Sequence, residues 1–230
     1  MTAPCALLLS GGMDSATCLW QLRETWPGPV HTVSIDYGQR HRIELEYARR
    51  LAARAGVERH EELGLALLSA LGGSPLTDGA LEVPDADELR QRATVVPFRN
   101  LLFVAACAAY AGGRRGIRDL FIAAVRDDHD AYRDCRREFY DSVEETLGLG
   151  AAEEGRYRIH TPLIGRWKTE VVAEGLRLRV PYGLTHTCYT GRRPGCGRCD
   201  ACSERLAAFR ANGVRDPLAY EFDADRTVSP

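Results

Sequence analysis

The sequence predicts an α/β protein: a parallel sheet flanked by helices, with a four-cysteine segment at its C-terminal end. Three observations carry this expectation. Short apolar runs alternate with helical periods, the pattern of strand–helix–strand units joined by right-handed crossovers. The first run, Leu7-Leu8-Leu9, breaks into Ser10-Gly11-Gly12-Met13-Asp14-Ser15 and resumes as Ala16-Thr17-Cys18-Leu19, so two glycines lie on a strand-to-helix turn. Cys188, Cys196, Cys199 and Cys202 stand at metal-ligand spacing near the end of the chain.

Cys5 to Leu9 reads as a buried strand and Asp14 to Arg23 as a helix. The turn between them has the makings of an anion site. Glycines let backbone N–H groups approach a ligand, and a helix N-terminus adds unpaired donors and partial positive charge. Ser10 and Ser15 can add hydroxyl donors, and a carboxylate at Asp14 beside a phosphate suggests Mg²⁺. A helix N-cap is the alternative role for Asp14. Ligands in open α/β sheets bind at the carboxyl ends of strands, which favours the anion site. The turn is neither a Walker A loop nor Gly-x-Gly-x-x-Gly. It resembles the pyrophosphate loop of the N-type ATP pyrophosphatases, which implies ATP cleaved between its α and β phosphates.

Val30 to Ile35 is a β-branched strand that ends at Asp36-Tyr37-Gly38-Gln39. Arg40 to Ala55 is an amphipathic helix with Ile43, Tyr47, Leu51 and Ala55 on one stripe and Gly56 as its stop. Adenine would lie by Ser34 to Tyr37. Glu58 to Leu63 predicts a third strand and a short helix runs to Leu71, whereas Gly72 to Val96 has no sustained period and predicts a lid or a disordered segment. Leu101 to Ala111 is apolar almost all round, which predicts a helix buried between layers. Arg99 and Asn100 open it, where a guanidinium needs an anion or an acceptor; a cap with a structural ion pair is the alternative.

Asp119 to Val125 is a further strand, followed by the charged run Arg126-Asp127-Asp128-His129-Asp130-Ala131-Tyr132-Arg133-Asp134-Cys135-Arg136. A solvated loop is the default for such a run. Because it begins where a strand stops, substrate or metal contact is expected of it. A helix covers Arg137 to Leu147, Tyr157 to Thr161 is the last strand, and Lys168 stands at a helix start where it could hold a phosphate.

At 230 residues, the chain can bury one sizeable core without staples. A formal charge of -2 gives no general field for nucleic acid or an anionic membrane. No run approaches a membrane span and no signal-peptide pattern opens the chain, so a cytoplasmic protein is expected. Eight cysteines in that setting point to metal or catalysis before disulfides. The clustered four predict a closed, structural Zn²⁺ site; an iron–sulfur cluster or a persulfide-carrying pair would use the same residues. Cys5, Cys18 and Cys107 read as small core residues.

From Leu8 to about Phe209 the chain resembles the 7-cyano-7-deazaguanine synthases, the QueC family. The resemblance rests on Ser10 to Ser15, Asp36-Tyr37-Gly38-Gln39-Arg40-His41, Val96-Pro97-x-Arg99-Asn100 and Tyr132-x-Asp134-Cys135-Arg136. His160 to Leu163, Thr185-His186-Thr187-Cys188-Tyr189 and the cysteine spacing extend it. It implies a Rossmann-like, adenine nucleotide alpha hydrolase-like fold: residues 1–184 as the ATP pyrophosphatase domain and 185–230 as a zinc-binding segment packed on it. It also implies a homodimeric, zinc-containing, ATP- and Mg²⁺-dependent enzyme that turns 7-carboxy-7-deazaguanine and ammonia into the nitrile by way of an amide. In that scheme Asp14, Arg99 and Lys168 are catalytic. Ser10, Gly11, Gly12, Met13, Asp14, Ser15, Asp36 and Asn100 hold the nucleotide, while Tyr37, Arg126, Asp128, Tyr132, Asp134 and Arg136 meet the acceptor acid.

Two positions depart from the family pattern. Phe98 stands where Gly is expected, and Arg126 where a carboxylate is expected. The ATP half therefore matches better than the acceptor half. A paralogue that stops at the amide or joins the acid to a protein amine, a non-catalytic nucleotide-binding zinc module and a tRNA-thiolating pyrophosphatase are the competing readings.

Overall fold

A computed structural model describes residues 2–86, 91–113, 116–151 and 156–222. Five strands form one parallel sheet: β1 (Cys5–Leu8), β2 (Val30–Asp36), β3 (Arg59–Gly64), β4 (Asp119–Phe121) and β5 (Arg158–His160). Their spatial order is β3-β2-β1-β4-β5, so the chain winds outward from β1 in both directions. The winding reverses between β1 and β4, and the crevice at the carboxyl ends of these two strands is where such sheets place ligands. The parallel α/β architecture expected from the sequence is the one observed.

Alternating side chains of β1 feed two cores. Cys5, Leu7 and Leu9 pack with α1 (Met13–Thr25), α2 (Glu44–Ala55), α6 (Lys168–Arg177) and α7 (Asp200–Ala211) through Leu19, Leu51, Val172 and Phe209. Ala6 faces the other way, toward Val33, Leu76, Val96 and the Cys107 and Ala111 side of α4 (Arg99–Gly112). α3 (Leu67–Leu71) and α5 (Arg137–Gly150) complete the helices among the described residues. None of these is long and apolar enough to cross a membrane.

Several elements differ from expectation. α2 begins at Glu44, not Arg40, because residues 39–44 close as turns in which Arg42 N–H donates to Gln39 and Glu44 N–H to His41. β4 ends at Phe121, not Val125. α4 is not buried all round: Leu101 is 37% exposed and Ala105 and Ala109 are open, since no second layer covers that face within one chain. The stretch expected to be a lid is fastened to the fold over its described part. Arg40 N–H donates to Leu76 O at 2.8 Å, the Arg40 guanidinium donates to the carbonyls of Asp78, Gly79 and Leu81, and Ala86 N–H donates to Arg198 O. Its residues 87–90 lie outside the described residues, as do 223–230 of the C-terminal segment.

Candidate active site

The turn after β1 builds the floor of the site. Ser10 and Ser15 hydroxyls lie 3.0 Å apart, Gly12 N–H donates to Ser10 Oγ at 3.2 Å, and Ser15 Oγ donates to Gly12 O. Gly12, not Asp14, is the N-cap of α1, and no side chain caps that end. The first-turn N–H groups are therefore open to a ligand. Gly11 sits at φ +91, where a Cβ would lie 2.3 Å from the carbonyl oxygen of Glu44. Only glycine lets α2 approach the turn this closely.

A cavity of about 270 Å³ opens above this floor, lined by Ser10, Gly12, Met13, Asp14, Ser15, Tyr37, Arg99, Asn100, Asp128 and Lys168 among others. The Asp14 carboxyl oxygen Oδ1 is buried without a hydrogen-bond partner. Burial, with Asp128, Glu204 and Asp127 nearby and Lys168 opposing them, pushes the Asp14 pKa up to about 7. Lys168, 8% exposed, bonds through Nζ to Asp128 Oδ1 at 3.2 Å and to the Glu204 carboxylate. Its backbone N–H donates to Asp127 Oδ2 at 2.7 Å, so Asp127 caps α6 and fixes where the lysine starts. Lys168 thus stands among the carboxylates of Asp127, Asp128 and Glu204, beside the orphaned oxygen of Asp14.

Arg99 closes the other wall, 6.0 Å from the Phe103 ring, with its charge acting on the buried Tyr37 hydroxyl. Among the described residues no carboxylate pairs with it. The structural ion pair considered for it is absent there, and the guanidinium is available to an anion. Asn100 Nδ2 instead reaches Asp134 O and Cys135 Sγ, both at 3.3 Å.

The remaining expected contacts do not share this cavity. Tyr132, Asp134 and Arg136 line a second hollow of about 840 Å³ that meets the first at Arg99. Asp36 is paired with Arg42 at 2.6 Å, whose hydrogen bond holds its carboxyl below the usual range, and it lines neither space. Arg126 is exposed, lies 5.5 Å from the Trp167 ring and bonds His129 at 3.0 Å, again lining neither. His41, Glu44, His186, Tyr189 and Glu204 do line the first cavity and were not singled out as site residues from the sequence.

The four clustered cysteines bring their Sγ atoms within 4.8 Å of one another, all buried and unbridged. Backbone N–H groups of Cys196, Arg198 and Cys199 donate to the sulfurs of Cys188 and Cys196, as electron-rich metal-bound thiolates require. Such a set can hold a metal ion with no open position. Fully buried Arg205 joins this segment to the fold, pairing bidentately with Asp216 at 2.6 and 2.9 Å and donating to Thr185 Oγ1 at 2.6 Å.

Residues 5–213 match the family model described as Queuosine biosynthesis protein QueC. The chain is 41% identical over 221 residues to a 7-cyano-7-deazaguanine synthase of Clostridium kluyveri, covering 94% of this chain and 96% of that protein. It is 42% identical over 219 residues to a 7-cyano-7-deazaguanine synthase of Azotobacter vinelandii, covering 93% and 96%. An NMN synthetase structure from Francisella tularensis is 16% identical, with a TM-score of 0.49 over 93% of this chain and 78% of that one. With family match and relatives both spanning nearly its whole length, the chain belongs to the QueC family.

Proposed function

We propose that the chain is an ATP-dependent carbon–nitrogen ligase that converts 7-carboxy-7-deazaguanine and ammonia to the amide and then the nitrile. The observation that supports this most directly is the uncapped turn Ser10–Ser15 facing Asp14, Lys168 and Arg99 across one cavity. A carboxylate is a poor acylating agent, since oxide would have to leave. Attack of its oxygen on the ATP α-phosphorus forms an O–P bond, breaks the α–β bridge and releases pyrophosphate. Ammonia then forms the C–N bond as AMP leaves and one proton is lost. Repeating the adenylation on the amide oxygen releases a second pyrophosphate; AMP then departs with that oxygen as the nitrogen loses its two protons, which leaves the nitrile.

In this reading Gly11, Gly12, Met13 and the Ser10 and Ser15 hydroxyls hold the departing pyrophosphate. Lys168 and Arg99 offset charge at the α-phosphate and the acid, and Asn100 holds its edge of the nucleotide site. Asp14, with Asp128 and Glu204 beside it, would hold the Mg²⁺ that enters with ATP and supplies further charge neutralisation. The second hollow, with Tyr132, Asp134 and Arg136, takes the deazapurine, with Tyr37 at its junction with the nucleotide site. Asp36 would meet the nucleotide and Arg126 the acceptor acid from outside the two hollows, each giving up an exposed partner, Arg42 and His129. Residues 1–184 form the catalytic domain and 185–230 a structural zinc segment packed on it. The uncovered Leu101, Ala105 and Ala109 face of α4 suits a homodimer.

Incubation with 7-carboxy-7-deazaguanine, ATP, Mg²⁺ and ammonium should yield nitrile, AMP and pyrophosphate by mass spectrometry and phosphate assay. Absence of pyrophosphate release with this acid overturns the proposal.

A further inference from the structure

We propose that His41 and Glu44 form the binding site for the ammonia that the adenylated acid consumes, an inference that rests on the reading above. His41 is only 6% exposed, its ring lines the cavity that holds Asp14 and Lys168, and its Nδ1 has no hydrogen-bond partner. A nitrogen left orphaned inside a polar cavity wall marks a place where a ligand completes the hydrogen bonding. On the other ring edge, Nε2 lies 3.6 Å from Glu44 Oε2.

Glu44 is fixed in turn. Its Oε1 accepts from Gln39 Nε2 at 3.0 Å, and Gln39 is itself locked by Ile35 O at 3.1 Å and Tyr37 N–H at 2.9 Å. The carbonyl oxygen of Glu44 is the group against which Gly11 packs, so the recess is held beside the phosphate turn. The Tyr37 and Tyr189 rings pack about His41 at 6.4 and 5.7 Å and fix its ring in the cavity wall.

Ammonia fits this chemistry. It offers an N–H donor to His41 Nδ1, whose ring Glu44 holds from the Nε2 side, while its lone pair stays free for the acyl carbon. Neutral ammonia is the species taken, because the recess offers little negative charge to ammonium. Burial pushes the His41 pKa down to about 3 and the Glu44 pKa up to about 8, and the Arg99 cation lines the same cavity. In the step itself the C–N bond forms and the C–O bond to AMP breaks. The surplus proton leaves on the phosphate of the departing AMP, so His41 holds the ammonia as a hydrogen-bond acceptor and stays neutral.

The test compares wild type, His41→Ala and His41→Gln by two measurements on the full-length protein. Acid-dependent exchange between pyrophosphate and ATP without ammonia reads adenylation alone; amide formation against ammonium concentration reads the second nucleophile. His41→Ala should keep exchange within about twofold while its KM for ammonium rises about tenfold or more, with His41→Gln, which retains an acceptor oxygen, recovering part of the loss. An unchanged KM, or exchange that falls in step with amide formation, overturns the ammonia site alone. Wild-type protein that shows no exchange overturns the adenylation reading and the ammonia site with it.

Discussion

The backbone N–H of His186 donates to the carbonyl oxygen of Gly11 at 2.9 Å. This bond joins the four-cysteine segment to the phosphate turn, for His186 lies between Thr185, which Arg205 grips, and Cys188. The segment that carries the cysteine cluster is thus tied to the Ser10–Ser15 turn as well as to α7.

If the cluster holds a metal and that link matters, losing the metal should weaken ATP binding although none of the four clustered cysteines lines the cavity. Cys196→Ser should lose its bound metal and lower ATP affinity by roughly tenfold in calorimetry. A variant that keeps one zinc per chain contradicts the four-thiolate site, and unchanged affinity after metal loss contradicts the link.

Asp14 gives a pH signature. Burial pushes its folded pKa up to about 7, above the ordinary aspartate value of 3.8, so between these values the folded state binds a proton that the unfolded state does not. Stability therefore falls as pH rises from about 4 to about 7, and the contribution of this group is flat above. Asp14→Asn should flatten that slope and raise ligand-free stability near pH 8 by about 1–2 kcal/mol, while pyrophosphate release drops by two orders of magnitude or more. Full activity in this variant removes Asp14 from the chemistry.

Phe98 occupies φ +57 and is 73% exposed. A non-glycine residue there costs about 1–2 kcal/mol, and an exposed ring regains little of that by packing. Phe98→Gly should raise the chemical-denaturation midpoint by the equivalent of about 1 kcal/mol. A lower midpoint would mean that the ring makes contacts beyond those within one chain.

Much of this architecture is legible in the sequence because it rests on local rules. The apolar run before Ser10-Gly11-Gly12 specifies a strand, a turn and a helix start, and the cysteine spacing by itself brings four sulfurs together. Lys168 and Arg99 are legible as cations at helix starts, and both line the cavity. What was not legible depends on distant pairing. Asp36 is drawn off by Arg42, and Arg126 turns out over Trp167, choices that spacing cannot encode. Glu204 reaches Lys168 only because α7 packs on α6, and His41 enters the wall only because the turns at 39–44 delay α2. The exposed face of α4 shows the limit of composition: periodicity says a helix is apolar, not whether its own chain covers it.

In the proposed reaction the acid's oxygen attacks the ATP α-phosphorus at the Ser10–Ser15 turn. The most direct test supplies 7-carboxy-7-deazaguanine labelled with ¹⁸O in its carboxylate and follows the label by mass spectrometry. ¹⁸O should appear in AMP as amide and nitrile form. Unlabelled AMP, or ADP with labelled phosphate, would contradict it.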